Sequence, residues 1–224
     1  MPFILCIETS ARNCSVALFK NAECISFKEE TGDGYIHAES LHLFIADTLR
    51  QANCTFDNID AIAVSSGPGS YTGLRIGVAA AKGLCFARTI PLISIDTLTM
   101  LAHRAMEESP GFDEYVPMID ARRLEVYTCR FDSRGQALEE VYAVQPEGDY
   151  FSSNSGRTLF CGDGCGKFSH YNSAENTFNS LLVPSAKWMG RMALTAWESK
   201  SFADLAYFEP FYLKDFIPGL GSSQ

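Results

Sequence analysis

The chain has 224 residues, with 46% hydrophobic and 20% charged side chains and a formal net charge of −9. These values are ordinary for a globular protein, and the apolar stretches are interrupted well before membrane-spanning length. The acidic balance repels a phosphodiester backbone, so tight unaided binding of nucleic acid is not expected and any role in RNA chemistry would need a partner.

The N-terminus and the cysteines indicate a reducing compartment. The segment MPFILCIETS has no basic residues and reaches Glu8 within its first apolar run, so it does not resemble a signal peptide and a cytoplasmic location is expected. The eight cysteines are scattered through apolar segments without a CxxC pair, which is typical of free thiols. The closest pair, Cys161 and Cys165, lacks the two further nearby ligands of a tetrahedral site, so no metal is expected.

Hydrophobic patterning predicts that the first half opens with three strands and continues with alternating helices and strands. Asp96 or Thr97 caps the last predicted helix of this half. The predicted elements in chain order are the strands FILCIETS, CSVALFK and ECISFKEE, the helix IHAESLHLFIADTLRQAN, the strand AIAVSS, the helix YTGLRIGVAAAKGLCFAR and the strand PLISI.

The second half repeats this order at the level of architecture, without similarity in sequence. The predicted elements are the strands YVPMIDA, LEVYTCRF, ALEEVYAV and RTLFCG, a short helix after GDGCG, the strand SLLV and a last helix, AKWMGRMALTAWESK, capped by Ser185. This duplication predicts an α/β fold of two tandem subdomains, each a mixed sheet flanked by helices, with a cleft between them. The expected subdomains are 1–98 and 99–224, with the helix at 185–200 packing back on the first; the final PGLGSSQ is expected to be disordered.

Four segments carry a family likeness: ILCIETSARNCSVAL, SSGPGSYTGLRIGVAAAKGL, ISIDTLTMLA and IDARRLEVY. They resemble the TsaB family, a branch of the actin-like ATPase superfamily with its ribonuclease H-like subdomains. The resemblance implies a non-catalytic subunit that supports the TsaD transferase, with the TsaE ATPase as third member, in adding threonylcarbamoyl to an adenosine beside the tRNA anticodon. It also implies that tRNA is met only through the complex, and that homodimers form when the partner is missing.

The spacing of the histidines favours the non-catalytic subunit over the transferase. TsaD carries a metal-binding pair of histidines four residues apart, whereas His37 and His42 are five apart and diverge by roughly 140° on a helix. One metal ion therefore cannot be held by both from one helix face, and a non-enzymatic role is expected.

The glycine-rich loop SSGPGSYTGLRIG does not predict a phosphate site. It has no lysine in Walker register, and its glycines miss the dinucleotide spacing GxGxxG by one residue. Gly67, Pro68 and Gly69 instead suit a sharp reversal from strand to helix, and Ser70 is the predicted helix cap.

The two helices of the first half have more apolar surface than packing on one sheet requires. In the second helix, small residues at four-residue spacing suggest a groove for another helix. We therefore expect a four-helix contact with a partner, burying about 1,600 Å², and we expect Leu74→Glu or Val78→Glu to remove partner binding from a folded monomer. The alternative is that both apolar stripes are core. The predicted interface comprises His37, Leu41, Phe44, Ile45, Tyr71, Leu74, Arg75, Gly77, Val78, Ala81 and Lys82.

A vestigial nucleotide or Mg²⁺ site is the second candidate. It would consist of Glu8, Thr9 and Ser10 at the first hairpin and Asp120 and Arg122 at the second. The second turn reads ARR where glycines would let phosphates approach the backbone, so neither ATP nor Mg²⁺ is expected as a cofactor. The alternative function is a small-molecule kinase or ATPase, with Glu8 or Asp120 as Mg²⁺ ligand or base and Arg122 on phosphate.

Overall fold

The computed structural model describes residues 1–32, 36–152 and 156–214, which form two mixed sheets. All eight cysteines are free thiols, as predicted. Within the described ranges, no helix combines the length and hydropathy needed to cross a bilayer.

The first sheet has the strand order β3-β2-β1-β4-β5. Its strands are β1 (Phe3–Glu8), β2 (Asn13–Lys20), β3 (Glu23–Thr31), β4 (Ala61–Gly67) and β5 (Leu92–Asp96). The first three form antiparallel hairpins, and β4 and β5 continue the sheet in parallel to β1. Strand β1 is buried on both faces because helices cover both sides of the sheet.

Helices α1 (Ile36–Gln51) and α2 (Tyr71–Arg88) cover one face of this sheet. The other face packs against Met100 of α3 (Thr97–Glu108) and against α5 (Gly190–Glu198), which contacts β1 and β5. Two of the predicted helix caps are confirmed. Ser70 Oγ accepts from the Gly73 amide at 3.2 Å, and Asp96 Oδ1 accepts from the Thr99 amide at 2.7 Å.

The second sheet has the order β11-β10-β6-β7-β9, with β8 paired to β6. Strand β6 pairs antiparallel with β7 and parallel with β10, so this sheet is also mixed, and the predicted α/β class is confirmed. An aromatic cluster around Phe151 and Phe160 fills one of its faces. The remaining elements are β6 (Glu114–Asp120), β7 (Val126–Thr128), β8 (Phe131–Asp132), β9 (Tyr142–Val144), α4 (Gly148–Ser152), β10 (Thr158–Cys161) and β11 (Asn176–Asn179).

Several element predictions in the second half were wrong. The predicted strand SLLV (180–183) is irregular, because β11 ends at Asn179 and Leu181 is exposed. The predicted strand LEVYTCRF is divided between the short β7 and β8, and helix α4 was not predicted. The run after Ser185 is a single 3₁₀ turn, and α5 begins only at Gly190. The PGLGSSQ segment lies outside the described residues.

Helix α2 approaches the β1–β2 turn at two glycines. A Cβ atom at Gly73 would lie 2.0 Å from the Thr9 carbonyl oxygen, and one at Gly77 would lie 2.2 Å from Thr9 Oγ1. The same Oγ1 donates to the Gly73 carbonyl at 2.8 Å, and the Ser70 amide donates to the Ser10 carbonyl at 2.7 Å. The prediction that this groove receives a helix of another molecule is therefore wrong, because the β1–β2 turn of the same chain fills it.

Replacing a packed glycine and an open glycine of α2 by alanine distinguishes the effect of close packing from the effect of helix propensity. We expect Gly73→Ala to destabilise the protein by about 2 kcal/mol, because its methyl group would overlap a backbone oxygen. Gly83→Ala in the same helix meets nothing within 4 Å and should stabilise the protein by about 0.5–1 kcal/mol. Urea unfolding of both variants measures this difference, and equal effects of the two substitutions would contradict the packing assignment.

Candidate functional site

Most of the predicted interface side chains belong to the core. Leu74 is 1% exposed and Val78 is 4% exposed, and both pack on the first sheet. Assigning these side chains to a partner surface was wrong, because their own sheet covers the apolar stripes of α1 and α2. The buried members of the predicted interface are His37, Leu41, Ile45, Leu74, Gly77, Val78 and Ala81.

His37 joins α1 to the first hairpin. Its Nε2 atom lies 2.9 Å from the Ala11 carbonyl oxygen and 3.2 Å from that of Asn13. Since both partners can only accept, Nε2 carries the proton and donates to both carbonyls. The His37 side chain therefore stabilises the packing of α1 on the first hairpin, and its Nε2 atom is not free to bind a partner.

The polar members of the predicted interface contact a C-terminal segment, residues 203–214. Lys82 Nζ donates to two backbone carbonyls of this segment at 2.8 and 3.3 Å. Arg75 Nε donates to Tyr212 Oη at 3.2 Å, and the rings of Tyr71 and Tyr212 have centroids 4.8 Å apart. One flank of α2 is thus occupied by the protein's own chain.

A different set of residues remains exposed on the two helices. Leu43 is 66% exposed and Phe86 is 80% exposed, and the small residues Ala79 and Gly83 between them in sequence are also exposed. We call these four residues the outer face of α1 and α2. Phe44, also a predicted interface residue, is half-buried against the core beneath α1. The prediction missed the outer face, although Ala79 and Gly83 repeat the small-residue spacing that singled out Gly73 and Gly77.

The first hairpin places a buried carboxyl group at the carboxyl end of β1. Glu8 is 0% exposed, and its Oε1 atom accepts from the Ser10 amide. Its Oε2 atom and the hydroxyl groups of Ser10 and Ser65 make no hydrogen bond of good geometry among the described residues. Burial raises the pKa of Glu8 to about 7, against the opposing effect of the two neighbouring serines.

The second hairpin places an ion pair at the corresponding position. Asp120 Oδ1 accepts from Lys167 Nζ at 2.6 Å and from the Arg122 amide at 2.7 Å. The Asp120 amide in turn donates to Asp163 Oδ1 at 2.9 Å. Arg122 and Arg123 have φ angles of +74° and +53°, so two arginines occupy the left-handed conformation that favours glycine.

These two hairpins do not fit a magnesium nucleotide. Glu8 is closed off from solvent, and its pKa of about 7 leaves it only partly ionised at neutral pH, whereas Mg²⁺ prefers a fully ionised carboxylate. Asp120 is already paired with Lys167. The side chains of Arg122 and Arg123 stand where a phosphate cradle needs bare backbone amides. The structure therefore places the predicted residues at the two hairpin turns.

Two tandem subdomains, each opened by an antiparallel hairpin and completed by parallel strands, define the actin-like ATPase class of fold. The family model described as TsaD, tRNA N6-adenosine threonylcarbamoyltransferase, matches residues 35–149, just over half of the chain, and the chain belongs to this family.

Its similarity to individual proteins extends over nearly the whole chain. The tRNA threonylcarbamoyladenosine biosynthesis protein TsaB of Haemophilus influenzae is 28% identical, with 95% of this chain and 93% of that protein covered. The structure of YeaZ from Pseudomonas aeruginosa superposes with a TM-score of 0.81 at 27% identity, covering 95% of this chain and 100% of that one. The activator of 2-hydroxyisocaproyl-CoA dehydratase from Clostridium difficile shares the fold at a TM-score of 0.50 and 8% identity, covering 89% of this chain and 95% of that one.

The buried Glu8 makes a specific prediction for stability against pH. Its pKa is raised from 4.5 to about 7 on folding, so its contribution to stability is complete below pH 4.5 and is lost as the pH rises through 7. We expect Glu8→Gln to gain stability relative to the parent by up to roughly 3 kcal/mol between pH 5 and pH 8. Urea unfolding at unit pH steps measures this. The exposed Glu39→Gln is the control, and a pH-independent difference for Glu8→Gln would contradict the assignment.

Proposed function

We propose that the chain is a non-catalytic subunit that acts in the biosynthesis of tRNA threonylcarbamoyladenosine by binding and supporting a TsaD-like transferase. The observation that carries this proposal is its similarity to TsaB and YeaZ over some 95% of its length. A TsaE-like ATPase would be the third member, tRNA would be met through the complex, and a homodimer would form in the absence of the partner.

The outer face of α1 and α2 is the proposed contact surface. Large exposed apolar side chains beside small residues are typical of helix packing between subunits, because the small residues let two backbones approach. Leu43 and Phe86 supply the apolar area, and the space above Gly83 is open. The surface is anchored from beneath, since α1 and α2 contact each other and share one core cluster.

A non-catalytic role agrees with the chemistry of the two hairpins. Glu8 is buried and Asp120 is paired with Lys167, so neither carboxylate is free to act on a substrate. We propose that the chain works without a nucleotide of its own. Turnover of ATP by the isolated chain would instead favour the kinase or ATPase alternative.

Substitution on the outer face tests the proposed contact. We expect Gly83→Arg to weaken binding of the TsaD-like partner at least a hundredfold while the protein stays folded, because a buried guanidinium without a partner costs several kcal/mol. Size-exclusion chromatography of the two proteins together and calorimetric titration measure the loss.

Two further variants locate the effect. Thr195→Arg on the exposed surface of α5 should bind the partner normally. Leu74→Glu should fail to fold and not merely fail to bind, because Leu74 is 1% exposed. Normal co-elution of Gly83→Arg would exclude this face.

A further inference from the structure

The tip of the second hairpin presents two arginines to solvent. Arg122 and Arg123 are both exposed, and neither guanidinium group forms an ion pair with another described residue. The next residue, Leu124, is also exposed, so nothing in the described part of the chain covers the tip.

Two carboxylates beside this tip form ion pairs with other cations. Lys167 pairs with Asp120, and Lys214 pairs with Glu125. Burial raises the pKa of Asp163, and the backbone hydrogen bond from Asp120 and the charges of Arg12 and Lys167 oppose that shift. The charges of the two tip arginines are therefore left uncompensated, in a chain with a net charge of −9.

The conformation of the tip is fixed at a cost in stability. Both arginines have positive φ angles, which glycine would adopt without strain. The Arg122 amide donates to Asp120 at 2.7 Å, and the Arg122 carbonyl accepts from the Glu125 amide at 3.1 Å. The Ala121 amide also donates to the Glu125 carbonyl at 3.1 Å. This turn is thus held rigidly by hydrogen bonds while it carries side chains that its backbone disfavours.

We propose that Arg122 and Arg123 bind backbone phosphates of tRNA once the chain is assembled with its transferase partner. This inference rests on the proposed function, which brings tRNA to the complex. A guanidinium group binds phosphate with two parallel hydrogen bonds, and two adjacent arginines on a rigid tip match successive phosphates of one strand. The acidic remainder of the chain makes the contact too weak to hold RNA alone, so the site acts only as part of the assembly.

The variant Arg122→Gly/Arg123→Gly separates RNA binding from folding. It removes both charges and also relieves the backbone strain, so it should unfold at a higher urea concentration than the parent. In complex with the TsaD-like protein, we expect its affinity for an unmodified tRNA transcript to fall about tenfold at 0.1 M salt. The slope of log affinity against log salt should become shallower by about 1.5, as loss of two phosphate contacts requires. Fluorescence anisotropy of labelled tRNA measures both values.

Controls distinguish this proposal from failure of the proposed function. Arg134→Ala/Lys200→Ala removes two charges from other exposed turns and should leave tRNA affinity and salt slope unchanged, whereas Arg122→Lys/Arg123→Lys should retain most of the slope. Co-elution with the partner must persist in every variant, so its loss would implicate assembly and not RNA contact. Parental affinity and slope for the double glycine variant would overturn the proposal. The proposal would also be overturned if ATP competed with tRNA for the parent complex but not for the double glycine variant. That result would indicate that the two arginines bind free nucleotide.

Discussion

The contact between Thr9 and the two glycines of α2 determines how the first subdomain is arranged. With no side chain at Gly73 or Gly77, the helix can approach the β1–β2 turn until Thr9 Oγ1 donates to the Gly73 carbonyl at 2.8 Å. His37 holds the same turn from α1. Both helices are therefore held on one hairpin, and exposed residues such as Leu43 and Phe86 lie on the sides that face away from the sheet.

This arrangement gives the two hairpins opposite chemistry. The first turn is covered by α1 and α2, and the acid at its base, Glu8, is buried with a raised pKa. Within residues 1–32, 36–152 and 156–214, no helix packs over the tip of the second turn, and its arginines are exposed. The two halves thus share one strand plan, but the first turn is largely buried whereas the second presents charged side chains to solvent.

The sequence was most informative where a local signal determined the structure. Apolar runs located the strands of the first sheet, and Ser70 and Asp96 marked helix starts because capping depends on neighbouring amides. Strands β7 and β8 were harder to predict because they are short and depend on distant partners, such as the bond from Thr128 Oγ1 to the Pro117 carbonyl at 2.8 Å. Such pairing leaves no periodic pattern in a three-residue strand.

The same distinction explains the errors at the candidate site. A small-residue stripe on a helix predicts that something approaches closely, but it does not say whether this is the same chain or another one. Gly73 and Gly77 are approached by the same chain, whereas Ala79 and Gly83, six residues further along and on another face of the helix, are exposed. Only the position of the β1–β2 turn distinguishes these pairs, and that position depends on pairing between β1 and β2 across the sheet. The same residue pattern therefore occurs on two faces of α2, and three-dimensional packing distinguishes the covered face from the exposed one.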